Sequence, residues 1–188
     1  MTLTDVPGKV LLALPLLMAY PAYAQDEDDI VVQRLSDTVS VLFSGGGNIG
    51  VSAGPDGVFI IDNQYQGDGE KIAKAVASFT DKPIDYVLNT HWHFDHAGSN
   101  DYFGQAGSTI IAHDNVRKRL ETGGYISSVD VDVPPAPLEA LPVITFNDSM
   151  SLHLNGEEVY FLSIASAHTD GDSIIWFKES NIIHMGDT

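Results

Sequence analysis

The chain has 188 residues and no cysteine, and its 26 Asp and Glu against 9 Lys and Arg give a net charge of −17. A hydrophobic share of 44% with 19% charged residues describes a globular chain with core enough for one domain. The acidity argues against nucleic-acid binding, which needs a basic surface. Without cysteine there is no disulfide, thiolate zinc site or thiol nucleophile.

The first element predicted is a targeting segment. Lys9 precedes an apolar run from Val10 to Tyr20, and Ala22-Tyr23-Ala24 sets small residues two apart ahead of the polar Gln25–Asp29. This is the layout of a secretory signal peptide over residues 1–24, which implies a periplasmic or secreted protein with its folded domain in residues 25–188. The run is too short for a bilayer span and holds Pro15, so no stable membrane span is expected after cleavage. Candidate strands follow at Ile30–Leu35, Val39–Ser44, Asn48–Ala53 and Val58–Asp62, separated by Ser36-Asp37, Gly45-Gly46-Gly47 and Gly54–Gly57. Such close spacing predicts an antiparallel meander. The period then changes. Ile72, Val76 and Phe79 stand at i, i+4 and i+7, one face of a helix closed by Lys82-Pro83. Ile84–Asn89 reads as a buried strand and Thr109–Ala112 as another. Asp114 is placed to cap a helix carrying Val116 and Leu120, ended by Gly123-Gly124. Gly124 to Pro142 reads as a proline-rich loop. Strands resume at Met150–Leu154, Glu158–Ile164, Ser173–Lys178 and Asn181–Met185, with Asn155-Gly156 as a hairpin turn between the first two. Strands passing to strand–helix–strand units and back to strands predict an α/β layered sheet with helices outside it.

The chemistry concentrates in Thr90–Asn100, THWHFDHAGSN. Three of the seven histidines and one acid, His91, His93, Asp95 and His96, lie within six residues at the end of a predicted buried strand. Histidine and carboxylate are the natural zinc ligands once cysteine is excluded. In extended chain, residues two apart point the same way, so His91 and His93 suit one ion. The adjacent Asp95 and His96 suit a loop turning beneath the site, and a second ion. Downstream, His168 falls in the turn of IASAHTDGDS and Asp187 follows the strand in NIIHMGDT. Both lie at strand ends, where distant chain converges. Trp92 and Phe94, interleaved with the ligands, are candidates for core or pocket wall. His113 is a cap or near-site candidate, His153 belongs on a solvent face, and His184 reads as packing or ligand support. Gly45–Gly47 joins two strands with no Lys-Ser or Lys-Thr after it, so it reads as a hairpin tip and not a phosphate loop. Arg117, Lys118 and Arg119 read as a solvated helix face.

THWHFDH, AHTDGDS and HMGDT, in this order, resemble the metal motifs of the metallo-β-lactamase fold superfamily, and NIGVSAGPDGVFIIDNQY resembles its opening strands. The resemblance covers nearly all of residues 25–188. It implies an αββα sandwich with a dinuclear, usually zinc, site at one sheet edge. It implies further that His91, His93 and His168 hold the first ion, that Asp95 and His96 hold the second, that Asp187 bridges, and that Asp62 supports the ligands from behind. The implied function is a zinc-dependent hydrolase acting on a small-molecule ester, lactone, thioester or β-lactam carbonyl. A zinc ion lowers the pKa of bound water from ~15.7 to ~7, and Asp95 is the catalytic candidate for orienting the resulting hydroxide. The superfamily supplies one more histidine from chain beyond the aspartate motif. The sandwich is therefore expected to be incomplete in its second half, as in a truncated chain. The alternative reading is a non-catalytic metal-binding fragment or degenerate paralogue.

Overall fold

The computed structural model describes residues 30–188. The predicted signal peptide and the acidic leader after it lie outside the described residues. Among those described, no helix is long and apolar enough to cross a membrane.

Four strands open the fold: β1 (Val31–Arg34), β2 (Val39–Phe43), β3 (Ile49–Gly54) and β4 (Gly57–Ile61). They pair antiparallel in succession, as the turn-separated spacing predicts. Helix α1 (Gly69–Ala77) follows, buried along Ile72 and Val76, and then β5 (Tyr86–Leu88). Two short helices that the sequence reading did not foresee come next, α2 (Phe94–Ala97) and α3 (Asn100–Gln105). They lead to β6 (Thr109–His113) and α4 (Asp114–Thr122). The cap of α4 is His113 and not Asp114. Nδ1 of His113 accepts the Asn115 N–H at 3.1 Å, and Asp114 is the first helical residue.

The segment expected as a loop, Gly124 to Pro142, is partly ordered by pairing. It contains a small antiparallel ribbon of β7 (Gly124–Ile126) and β8 (Val131–Val133), then a 3-10 turn at Leu138–Ala140. An unforeseen strand, β9 (Ile144–Phe146), pairs parallel with β6. The last four strands, β10 (Ser149–Leu154), β11 (Glu157–Ser163), β12 (Ser173–Phe177) and β13 (Ile182–His184), lie within two residues of their predicted bounds. Asn155 and Gly156 both take positive φ, 57° and 76°, the backbone that a two-residue hairpin requires.

Two sheets result. The first has the order β1-β2-β3-β4-β5-β6-β9 and becomes parallel from β4 onward; the second is the antiparallel β10-β11-β12-β13. Strand β4, in the middle of the first sheet, is buried on both faces, which explains its unbroken apolar run. On the inner face Phe59, Ile61, Leu88 and Ile111 meet Val159, Phe161, Ile175 and Phe177 of the second sheet. Phe59 and Phe177 stack there at 5.9 Å. On the outer face of the first sheet, Val51, Val58, Ile60 and Val87 pack under Ile72 and Val76 of α1 and Phe103 of α3. The outer face of the second sheet exposes Leu162, Trp176 and Ile183 and carries no helix among the described residues. The architecture is thus the expected mixed α/β sandwich, with three layers built by residues 30–188.

Asn155 stitches the two sheets. Its side chain accepts from the Asp56 N–H at 3.0 Å and donates to Ser52 Oγ at 3.0 Å and the Gly57 carbonyl at 3.1 Å. At the opposite strand ends, the Ser173 N–H donates to the Thr90 carbonyl at 2.9 Å, joining the mouth of β12 to the chain leaving β5. That second junction is where the histidines gather.

Candidate metal centre

The site grows out of strand ends. After β4, Asp62 turns into a left-handed conformation (φ 63°), and its N–H bonds the Leu88 carbonyl of β5. After β5, Thr90, His91 and His93 are buried at the sheet edge. Asp95 and His96 stand on the one-turn helix α2 and not on the loop expected. The N–H groups of His96 and Ala97 both donate to the His93 carbonyl, at 3.0 and 2.9 Å. His168 comes from the β11–β12 connection. Buried Asp172 shapes that turn, its carboxylate accepting the His168 N–H at 2.6 Å, the Thr169 N–H at 2.7 Å and the Thr169 hydroxyl at 2.5 Å. Asp187 follows β13 through Gly186. Here φ is 55°, and a Cβ would stand 2.7 Å from Thr90 Oγ1, so only glycine lets the chain pass this close.

Two ligand groups are brought together. His91, His93 and His168 form one; His91, His96 and Asp187 form the other. In each, the ligand atoms lie within 4.8 Å of one another. Nδ1 of His93 is 2.9 Å from Nε2 of His168. Asp187 spans the groups, with one carboxylate oxygen 3.1 Å from His96 Nε2 and the other 3.4 Å from His168 Nε2. Asp95 belongs to neither group; its Oδ2 is 3.7 Å from His96 Nε2 and its side chain is about a third exposed.

The hydrogen bonds fix which nitrogens are free. Asp62, fully buried, accepts the Thr90 N–H, the Thr90 hydroxyl and Nδ1–H of His96, each at 2.8 Å. The Thr90 hydroxyl has one proton and gives it to Asp62. Its oxygen therefore accepts Nδ1–H of His91 at 3.0 Å. The chain Asp62–Thr90–His91 leaves Nε2 of His91 as a bare lone pair, and that atom is buried with no hydrogen-bond partner. An orphaned buried acceptor beside two more imidazoles is what a cation site requires. The donor set, imidazole and carboxylate without sulfur, suits zinc.

Charge suits ligation at His91 and His93, whereas at His96 it favours a protonated ring that must release its Nε2 proton to hold a cation. Burial first, then the neighbouring His96 charge, pushes His91 down to about 3, so its ring is neutral and able to ligate. Burial and then the His168 charge hold His93 below its ordinary range. Burial also opposes a charge on His96. The Asp62 hydrogen bond and charge, with Asp187 and Asp95 behind them, outweigh it and raise His96 to about 9. In Asp62 burial favours the neutral acid, but the His96 contact wins and keeps it ionised.

A buried amide network lies beneath. Asn100 accepts from Asn63 at 2.6 Å and from Asn89 at 3.0 Å, and it donates to Asn89 Oδ1 at 2.8 Å and to the Ala140 carbonyl at 3.0 Å. These asparagines, with Asp172 and Thr90, support the ligands but were not singled out from sequence. Asn63, Asn89, Thr90 and Asp172 lie at or beside predicted strand ends, the one signal available for them, and Asn100 lies between predicted strands with none. The remaining histidines stand apart. His113 bonds the Asn147 carbonyl through Nε2 at 2.7 Å, His153 lies on the exposed face of β10, and His184 reaches the Asn48 carbonyl at 3.1 Å. Trp92 is buried among Ala97, Ala112, Val116 and Leu120, and half-buried Phe94 packs beside it. The two arginines of α4 are ion-paired, Arg117 with Glu121 at 2.7 Å and Arg119 with Asp170 at 2.9 Å, and Lys118 Nζ donates to Asn115 Oδ1 at 3.1 Å. Two clefts reach the centre: one of about 590 Å³ beside His96 and Asp187, and one of about 280 Å³ beside His93 and His168, with Ser127 and Ser128 on its wall.

A sandwich of two sheets with a histidine–carboxylate cluster at their joined strand ends defines an α/β protein with a site that could hold a metal. The metallo-beta-lactamase superfamily matches residues 43–188, and the chain belongs to that family. Members of that superfamily bind metal ions, typically zinc. The chain is similar to a hydroxyacylglutathione hydrolase of Erythrobacter litoralis, 33% identical over 93 residues, 48% of this chain and 34% of the relative. It is also similar to the 2,4-dinitroanisole O-demethylase subunit alpha of a Nocardioides species, 23% identical over 137 residues, 72% of this chain and 39% of the relative. Among solved structures, a beta-lactamase from Chitinophaga pinensis superposes with a TM-score of 0.69 at 19% identity, covering 84% of this chain and 61% of that one. The chain thus spans little more than a third of the length of these curated relatives.

Proposed function

We propose that the chain carries the metal-binding part of a zinc-dependent hydrolase that opens an ester, lactone, thioester or β-lactam carbonyl in a small molecule. His91, His93 and His168 would hold one ion. His96 and Asp95 would hold a second, with Asp187 between the two. The observation that carries this reading is the bare, buried Nε2 of His91, set within ligand reach of His93 and His168. When bound, zinc supplies Lewis acidity and makes water a nucleophile near neutral pH.

The residues divide the remaining work. Asp62 and Thr90 fix the protonated nitrogens of His96 and His91, so both rings present Nε2 to the centre. Asp172 holds the His168 turn in register. Asp95, the more exposed acid beside His96, is placed to orient an attacking water and accept its proton at a carboxylate oxygen. The names of two relatives, a hydroxyacylglutathione hydrolase and a beta-lactamase, support hydrolysis of a small substrate as the reaction class.

The test is turnover by the zinc-loaded full chain of a chromogenic cephalosporin, a lactone panel and a thioester. The reading expects hydrolysis of at least one, abolished by chelation and restored by zinc. It expects Asp95→Asn to lower kcat by about a hundredfold or more while the first zinc, on His91, His93 and His168, stays bound. Equal rates in Asp95→Asn and wild type would remove Asp95 from the chemistry. No turnover of any substrate by a zinc-replete chain would favour the non-catalytic alternative.

A further inference from the structure

The glycine tip between β2 and β3 lies against the second ligand group. Gly47 sits so near His96 that a Cβ there would be 2.8 Å from the imidazole Cε1. A run of three glycines has little of its own to hold it in such a place. Gln64 does so. Its side chain is 1% exposed, and both ends of its amide are used on the tip. Oε1 accepts the Ser44 hydroxyl at 2.5 Å, and Nε2 donates to the Gly47 carbonyl at 2.6 Å. Its aliphatic stem lies against Gly46, where a Cβ would be 3.2 Å from Cγ and Cδ.

The backbone of Gln64 faces the other way. Its carbonyl accepts the Gly98 N–H at 2.8 Å, at the end of the helix that carries Asp95 and His96. Gln64 holds φ at 55°, a left-handed conformation that non-glycine residues seldom adopt. A buried amide in a disfavoured backbone, bonded at one end to a hairpin tip and at the other to a ligand helix, ties those two elements together. The cleft beside His96 and Asp187 is lined by Gly46 and Gly47, so the tip forms its wall.

We propose that Gln64 is a positioning residue that clamps the Gly45–Gly47 tip over His96 and so sets the clearance above the second metal position. Substrate entering beside His96 and Asp187 meets a wall whose height this amide fixes. The inference rests on the metal-centre reading for its effect on zinc and substrate, but not for the clamp itself.

The experiment compares wild type with Gln64→Leu, which keeps the bulk and removes both side-chain bonds. Amide hydrogen exchange is followed at the tip and in β4 and β5, and zinc affinity is measured by competition with a chromophoric chelator. Gln64→Leu should speed exchange at Gly45–Asn48 about tenfold, with β4 and β5 unchanged. It should weaken the second zinc equivalent about tenfold and leave the first intact. On a substrate that turns over, KM should change more than kcat. Gln64→Glu keeps the Ser44 bond but turns an acceptor toward the Gly47 carbonyl, so it should loosen the tip as Leu does. Ser44→Ala should act in the same direction to a lesser degree, and these two variants carry the test if Gln64→Leu does not fold. Unchanged exchange at the tip, or faster exchange spread evenly through β4 and β5, overturns the clamp. A wild-type chain that holds no zinc overturns the metal centre, and tip exchange still decides the clamp.

Discussion

Replacing Asp62 by asparagine tests how far the ligand geometry depends on a residue that touches no proposed ion position. Asp62 is 1% exposed and accepts three hydrogen bonds at 2.8 Å, from the Thr90 N–H, the Thr90 hydroxyl and Nδ1–H of His96. Asparagine keeps the shape but offers one oxygen, and its NH2 points donors at donors. At least one buried donor loses its acceptor, and the His96 contact loses its charge. A hydrogen bond to a charged group is worth ~1.5–3 kcal/mol and an orphaned donor costs ~1–3 kcal/mol, so Asp62→Asn should destabilise the metal-free chain by about 2–4 kcal/mol. A domain of this kind has only ~5–15 kcal/mol in total. The reversed bond also releases the tautomers of His91 and His96, which should weaken zinc binding by roughly 10–100-fold. Urea unfolding of the chelated chain reads the first effect as a lower midpoint at constant slope. Competition with a chromophoric chelator reads the second. A variant with wild-type midpoint and zinc affinity within about twofold of wild type would show that the Asp62–Thr90–His91 relay does not set the ligands.

Other perturbations separate the site from the scaffold. Gly186→Ala forces a Cβ to within 2.7 Å of Thr90 Oγ1 at a φ of 55°, so Asp187 should shift and bound zinc should fall, measured by elemental analysis, while far-ultraviolet circular dichroism keeps its shape. Phe161→Ala empties the middle of the sheet–sheet core and should cost about 3–5 kcal/mol in denaturant unfolding. Asn155→Ala removes the stitch between the sheets and places alanine at a φ of 57°, for a loss of about 2–4 kcal/mol in the same assay. His113→Ala deletes a helix cap and a bond to Asn147, and should cost about 1–2 kcal/mol with zinc content unchanged.

How much of this was legible in the sequence follows from the range of the signals. Helix α1 shows in the spacing of Ile72 and Val76 because one face packs on the first sheet. The β10–β11 hairpin shows in Asn155-Gly156 because few residue pairs accept two left-handed conformations. The ligands stand out because three histidines in six residues have no packing explanation. Helix α2 was missed because one turn displays no period, and its N-terminus is fixed by His93, a residue read for its chemistry. Helix α3 was missed because NDYFGQ buries just Asn100 and Phe103, an amide network and a packing contact that exist only after β5 and the Ala140 turn have assembled. Strand β9 is three residues long and is recruited by β6. Gln64 looks ordinary in sequence. Its partners lie in two other places, Ser44 and Gly47 in the β2–β3 tip and Gly98 at the end of α2, and they meet it only through the tertiary fold.

The central claim is that the chain leaving β5 and the β11–β12 connection bring His91, His93 and His168 together to hold a cation. Zinc per chain, measured by elemental analysis after exhaustive dialysis of the full chain and of a His91→Ala/His93→Ala double variant, tests it most directly. The account predicts at least one tightly held zinc in wild type, loss of it in the variant, and a lower unfolding temperature that added zinc no longer raises. Equal zinc content and equal thermal unfolding in the two proteins would contradict it.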